Sequence, residues 1–333
     1  MRITHDILLK IARDAIARQT QGEHGILAAY LCGSLLEDEF LLGGTTDVDL
    51  VFIHSELSPK KREIIPITPD VHLDIAHHGQ GEYRHPRMLR VHPWLGPTLN
   101  SCMVLYDPQH LLDFTQASVR GQFTRPDYVL ERSRKHSERS RQIWLGLMPT
   151  RLNPSARDVL DYLHAVKHAA NAIASLAGPP LTERRFLTKF LRRAAEAGRP
   201  GLYAGLLGLL GAPRTDPATL ENWIHKWEAY YDPYIAKTGD PRLHLGRKEY
   251  YLQALLAFLQ SNHPLDALFP LELTWTQAVG ACEKLSPLVR DWQDIFEELG
   301  LLGDGFSERI EALDAYLDLV EETLDQWALE NGA

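Results

Sequence analysis

Leu31-Cys-Gly-Ser-Leu-Leu36, followed by Gly43-Gly-Thr-Thr-Asp-Val-Asp-Leu-Val-Phe-Ile-His54, is the stretch on which the reading of this chain turns. Between Gly25 and Gly33 runs ILAAYLC, a short apolar segment closed by glycine, which predicts a buried strand. From Asp47 to His54 the β-branched and aromatic residues predict a second strand. Alternate residues of a strand face the same way, so Asp47 and Asp49 project side by side while Val48 turns toward a core. Two like charges at that spacing are costly unless a cation neutralises them.

Working outward, the chain leaves the first strand at Gly33-Ser34. A helix starting at Ser34 would aim free backbone N–H groups beyond the strand's end, glycine would let an anion approach closely, and the Ser34 hydroxyl would add a donor. In the other direction, Val71–Ala76 (VHLDIA) alternates and predicts a third strand, with Asp74 inside it. A carboxylate in an apolar strand needs a partner, since burying it alone is expensive. If the third strand neighbours the second, Asp74 joins Asp47 and Asp49. Three carboxylates suit Mg²⁺, which takes one or two carboxylates plus substrate phosphates, and are enough for two ions about 3.5–4 Å apart. The matching chemistry is in-line attack on the α-phosphate of a nucleoside triphosphate with release of pyrophosphate.

Gly-Ser, then Asp-x-Asp in a strand, then a later strand Asp, resembles the DNA polymerase β-like nucleotidyltransferase superfamily. Here the pattern is carried by Gly33, Ser34, Asp47, Asp49 and Asp74. Val104-Leu-Tyr-Asp-Pro108 looks like a segment common in small, bacterial-type members, and the resemblance spans about residues 20–115. It implies a mixed, strongly curved sheet with helices on one side, two Mg²⁺ ions held by Asp47, Asp49 and Asp74, and an NTP donor, with ATP the first expectation, gripped by Gly33 and Ser34. It leaves Asp74 either as a metal ligand or as a general base. Thr45-Thr46 stands where serine is frequent in the family, which preserves the hydroxyl.

Ile3–Gln19 has helical apolar spacing, and Met103–Tyr106 predicts a fourth strand. Beyond about residue 125 helical periodicity takes over, with helices predicted at 127–147, 155–177, 183–197, 217–236, 247–261, 286–299 and 306–330. Ser155 is placed to cap the second of these, with Asp158 in its first turn. The expectation is an α+β fold: a nucleotidyltransferase domain over 1–120 and an all-α, substrate-facing domain over 121–333, similar to that of aminoglycoside-type enzymes.

The chain has 333 residues and a net charge of −9. An acidic chain is a poor non-specific ligand of nucleic acid, which needs clustered Lys and Arg, so the acceptor is expected to be a small molecule. An RNA end or a protein hydroxyl, as in toxin or antitoxin nucleotidyltransferases, is the alternative acceptor, and a non-catalytic nucleotide-binding module is the alternative class. Cys32, Cys102 and Cys282 are widely spaced and read as reduced, mostly buried thiols. No run of 18 apolar residues occurs, so no membrane span and a cytoplasmic location are expected. No residue pattern sets an oligomeric state.

Weaker features are His72, sharing a face with Asp74; His77-His78; a basic run of Arg184, Arg185, Lys189, Arg192 and Arg193; Lys167 with His164 and His168; and the Arg157…His164 pair, which loosely resembles the motif of helical HEPN ribonuclease domains. Trp223, Trp227, Tyr230, Tyr231 and Tyr234 form a stripe expected to be core. For the charged features the expectation is a solvated helix face or strand end.

Overall fold

The structure, a computed structural model, describes residues 3–22, 25–58, 60–150, 152–280 and 286–333. The chain is a mixed α+β protein. It divides into two compact units, one of residues 1–125 with 246–253, the other of 126–245 with 254–333.

The first unit runs α1 (His5–Gly22), β1 (Ile26–Cys32), β2 (Thr46–His54), β3 (Arg62–Thr68), β4 (Val71–Gly79), α2 (Pro86–Leu89), α3 (Leu95–Ser101), β5 (Met103–Tyr106) and α4 (Leu111–Arg120). Its sheet has the order β3-β4-β2-β1-β5. β2 lies antiparallel to β1 and parallel to β4, and β3 is antiparallel to β4. The predicted third strand is thus β4, directly beside β2. β3 was not foreseen, because Pro66 argues against a strand. The structure accommodates it at the sheet's edge, where one side of the backbone has no ladder to donate to.

Helices cover both faces of this sheet, not one as the resemblance implies. On one face Leu8, Ala12, Ala15 and Ile16 of α1 pack against Val48, Leu50, Phe52 and Leu73. On the other, Leu89, Leu99, Leu112 and Val119 of α2, α3 and α4 pack against Tyr30, Val51 and Ile53. The reason is in the strands. β1 is apolar at consecutive positions and β2 carries Val51 and Ile53 on its acid-bearing face, so both faces need cover. The acidic positions occupy only the start of β2, beyond the reach of this second core.

The second unit is helical: α5 (Pro126–Leu147), α6 (Ala156–Ala174), α7 (Phe186–Glu196), α8 (Gly201–Leu209), α9 (Pro217–Tyr231), the later part of α10 (Lys248–Leu259), α11 (Leu268–Val279), α12 (Pro287–Glu298) and α13 (Gly305–Asn331). Ser155 caps α6 and forms the reciprocal capping box with Asp158. Of the aromatic stripe, Trp223, Trp227 and Tyr231 are buried, as expected of core, while Tyr230 and Tyr234 are only half-buried. α8 and α11 were not predicted. α8 carries three glycines in nine residues, and Gly205 packs closely on the Tyr316 ring, which a β-carbon there would approach to 3.1 Å. α11 is buried all round and so shows no amphipathic period.

Cys32 and Cys102 are free thiols, partly and fully buried; Cys282 lies outside the described residues. Among the described residues no helix is long and apolar enough to cross a membrane.

Candidate functional site

The parallel register of β2 and β4 sets Asp47 opposite His72 and Asp49 opposite Asp74. Paired positions in adjacent strands share a face, so one patch collects all four side chains. On the other side of β2, Cys32 lies opposite Asp49, which brings the end of β1 and Gly33 to the same place. One oxygen or nitrogen each from Asp47, His72 and Asp74 falls within 4.8 Å of the others, and all three residues are buried.

Asp49 belongs to the patch but is set differently. Gly33 has φ 79° and ψ −160°, a conformation essentially restricted to glycine. A β-carbon at Gly33 would lie 1.9 Å from Asp49 Oδ2 and 2.7 Å from its Cγ. The Asp49 carboxylate therefore rests on the bare α-carbon, and the glycine is required both for its backbone and for its missing side chain. Burial pushes the Asp49 carboxyl well above the usual carboxylate range, and Asp47 and then Asp74 push it further, with Arg62 and Arg247 pulling back in part. The patch thus favours added positive charge.

After Gly33 the chain makes a single 3₁₀ turn, Ser34–Leu36, in place of the anticipated helix. The acidic Glu37-Asp-Glu39 that follows does not continue it. One turn aligns too few peptides for a helix dipole to hold an anion there. What remains is the Ser34 hydroxyl, whose oxygen is buried and makes no hydrogen bond. An unsatisfied buried hydroxyl costs stability and suits a ligand oxygen.

Two arginines complete the patch. Arg62 of β3 forks onto Asp74, with Nε 2.5 Å from Oδ1 and Nη2 2.6 Å from Oδ2. Arg247, from the segment that groups with this unit, places Nη1 3.2 Å from Asp74 Oδ2 and Nη2 3.8 Å from Asp47 Oδ2. Its guanidinium lies 4.9 Å from the Tyr250 ring centroid and 5.3 Å from that of Tyr251. Tyr250 also meets the His72 ring edge-on at 4.9 Å. Sequence reasoning missed Arg62 because its strand went unrecognised. It missed Arg247 because no spacing links it to Asp74, 173 residues away; the one local sign is a basic residue just before a Tyr-Tyr pair.

The remaining features fall elsewhere. His77 is on the opposite face, stacked on Phe52 and bonded to His54 at 2.9 Å. His78 shares the acidic face but bonds Tyr83, which bonds Tyr30. In the second unit Arg157 pairs with Asp161 at 3.0 Å and is largely exposed, so the likeness to a ribonuclease motif finds no paired Arg and His there. Lys167 pairs with Glu183. Of the basic run, Arg184 is buried and Arg192 and Arg193 pair with Glu196, so the run is only in part a solvated face.

No protein-family model matches the chain, and no curated protein matches it.

Proposed function

We propose that the chain is a nucleotidyltransferase of the DNA polymerase β-like type. It would move a nucleoside monophosphate from an NTP, ATP first among the candidates, to a hydroxyl of a small acceptor, releasing pyrophosphate. The observation that carries the reading is the seating of Asp49 on the positive-φ Gly33, in register with Asp74 and beside Asp47 on one sheet face. Gly-Ser and Asp-x-Asp are common as separate pairs; here they are parts of one packed unit.

The donor set fits divalent cations. Asp47 belongs to two groupings: with Asp49 by strand spacing, and with His72 and Asp74 by reach. These would hold the two ions; the carboxylates suit Mg²⁺ and Mn²⁺ alike, and the imidazole widens the choice toward transition metals. Bound Mg²⁺ supplies neutralisation of phosphate charge and acidification of an attacking hydroxyl. The chain's own residues do the rest. Ser34 offers its hydroxyl to a phosphate oxygen, and Gly33 seats the Asp49 carboxylate. The new bond joins the acceptor oxygen to the α-phosphorus while the bond from that phosphorus to the β-phosphate bridge breaks, and the hydroxyl proton passes to water. Asp74 accepts three hydrogen bonds from Arg62 and Arg247, so we assign it to charge organisation and not to proton abstraction.

The test is transfer of α-labelled NTPs to panels of small hydroxylated acceptors, RNA ends and proteins. Wild-type protein transfers label and Asp49→Asn does not. Full transfer by Asp49→Asn overturns the reading. Tight nucleotide binding without turnover on any acceptor favours the binding module, to which the ion-paired state of Asp74 also lends itself.

A further inference from the structure

Arg247 has a spare capacity that Arg62 lacks. Arg62 makes two short bonds in fork geometry, one to each Asp74 oxygen, the strongest arrangement open to an arginine and a carboxylate. Arg247 touches Asp74 at 3.2 Å and Asp47 at 3.8 Å. A carboxylate has about four acceptor directions, and Arg62 already satisfies Asp74 with two of them. Withdrawal of Arg247 therefore leaves Asp74 paired, and it releases acceptor capacity on the same two carboxylates that, with His72, come within 4.8 Å of one another.

The guanidinium is equipped to be elsewhere. Its side chain is 6% exposed, yet its buried Nε makes no hydrogen bond. A buried donor without an acceptor calls for an explanation, and an acceptor brought by a ligand supplies one. The Tyr250 and Tyr251 rings form an aromatic support that stabilises a cation without fixing it to one oxygen.

We propose that Arg247 is a displaceable counter-ion. It neutralises Asp47 and Asp74 until a divalent cation binds there, then transfers its charge to the phosphates of the nucleotide, so that cation and nucleotide bind cooperatively. The inference rests on the donor-site reading above and adds to it the order in which the site is charged. Because guanidinium and metal ion draw on the same carboxylates, each weakens the other. A phosphate chain removes the conflict by giving Arg247 a new anion.

Mn²⁺ titration followed by electron paramagnetic resonance tests this on the full chain, with and without α,β-methylene-ATP. In the wild type the nucleotide tightens Mn²⁺ binding by about tenfold, a typical coupling. Arg247→Met binds Mn²⁺ alone about tenfold more tightly than wild type, and its nucleotide effect shrinks to about twofold or less, since the competitor is gone. Unchanged Mn²⁺ affinity and unchanged coupling in Arg247→Met overturn the proposal and leave the donor-site reading intact. Absence of Mn²⁺ binding to wild type in either condition overturns both. Should Arg247→Met not fold, the wild type supplies the answer. Its Arg247 Nε–H resonance, assigned by its disappearance in Arg247→Lys, moves on adding Mg²⁺ and again on adding nucleotide. A resonance indifferent to Mg²⁺ overturns the proposal.

Discussion

Replacing Gly33 with alanine strikes the seat of Asp49, and its cost follows from two separable causes. The backbone at φ 79° and ψ −160° is nearly closed to any residue with a side chain, which costs about 1–3 kcal/mol. The new β-carbon would also stand 1.9 Å from Asp49 Oδ2, 2.7 Å from Cγ and 3.1 Å from Cβ. Three atoms that close, one at the root of the side chain, cannot be cleared by a small tilt, and Asp49 must leave its rotamer at about 0.5–1.5 kcal/mol. Together the loss is about 1.5–4.5 kcal/mol, which a domain of ordinary stability survives. Urea unfolding of Gly33→Ala, Asp49→Ala and the double variant separates the two causes. Asp49→Ala removes Cγ and both oxygens, so Gly33→Ala is milder in that background by about 1 kcal/mol. Equal cost in both backgrounds refutes the packing argument, and a total below about 0.5 kcal/mol refutes the backbone argument. Cation affinity falls with Gly33→Ala as the Asp49 carboxylate is turned away.

Three other outcomes are expected. Asp74→Ala leaves the buried Arg247 guanidinium without its nearest carboxylate and destabilises the protein by about 3–5 kcal/mol in denaturant titration; a loss under about 1 kcal/mol would mean that Arg247 draws little from Asp74. Glu272 is buried with neither carboxylate oxygen hydrogen-bonded, and burial raises its pKa well above the ordinary value. The folded state thus holds the proton to higher pH than the unfolded state, and stability present below about pH 4.3 is lost as pH rises, by up to about 1.4 kcal/mol per pH unit. Glu272→Gln flattens that slope between pH 4.5 and 7, and parallel curves for the two proteins contradict it. His168, which meets His136 at 3.1 Å, is pushed down to about 4, chiefly by burial. Its contribution has the opposite sign: present above about pH 6.5, it is lost as pH falls toward 4. His168→Leu removes this acid sensitivity, and an unchanged stability profile between pH 6.5 and 4 refutes the assignment.

The legible parts of this molecule are those where one local rule decides. Ser155 and Asp158 declare a helix start by their own chemistry, and the alternation around Asp74 declares a strand. β3 was hidden because Pro66 is forbidden in a sheet interior, and local sequence does not reveal which strand lies at an edge. α8 was hidden by its glycines, of which Gly205 lies against the Tyr316 ring more than a hundred residues later. α11 was hidden because burial on all sides removes the period by which helices are read. The site divides in the same way. Gly33, Ser34, Asp47 and Asp49 lie on neighbouring chain and could be placed by strand geometry. Arg62 and Arg247 are long-range partners of Asp74, and only the fold shows that its charge is already shared.

The assignment of residues 246–253 to the first unit has a consequence for how the protein is made. A ribosome completes residues 1–125 first, and Arg247 emerges only after 126–245 have been added, an interval on the order of ten seconds. Through that interval the five strands and their acids are all present while one of the two guanidiniums is still unsynthesised. The nascent sheet then lacks one of its positive charges, with Arg62, among the described residues, left to pair with Asp74. The last element to join it carries its own charge and its own aromatic support in six consecutive residues, Arg247-Lys-Glu-Tyr-Tyr-Leu252. Order of synthesis thereby makes the arrival of a short, late segment the step that finishes the electrostatics of the earlier one.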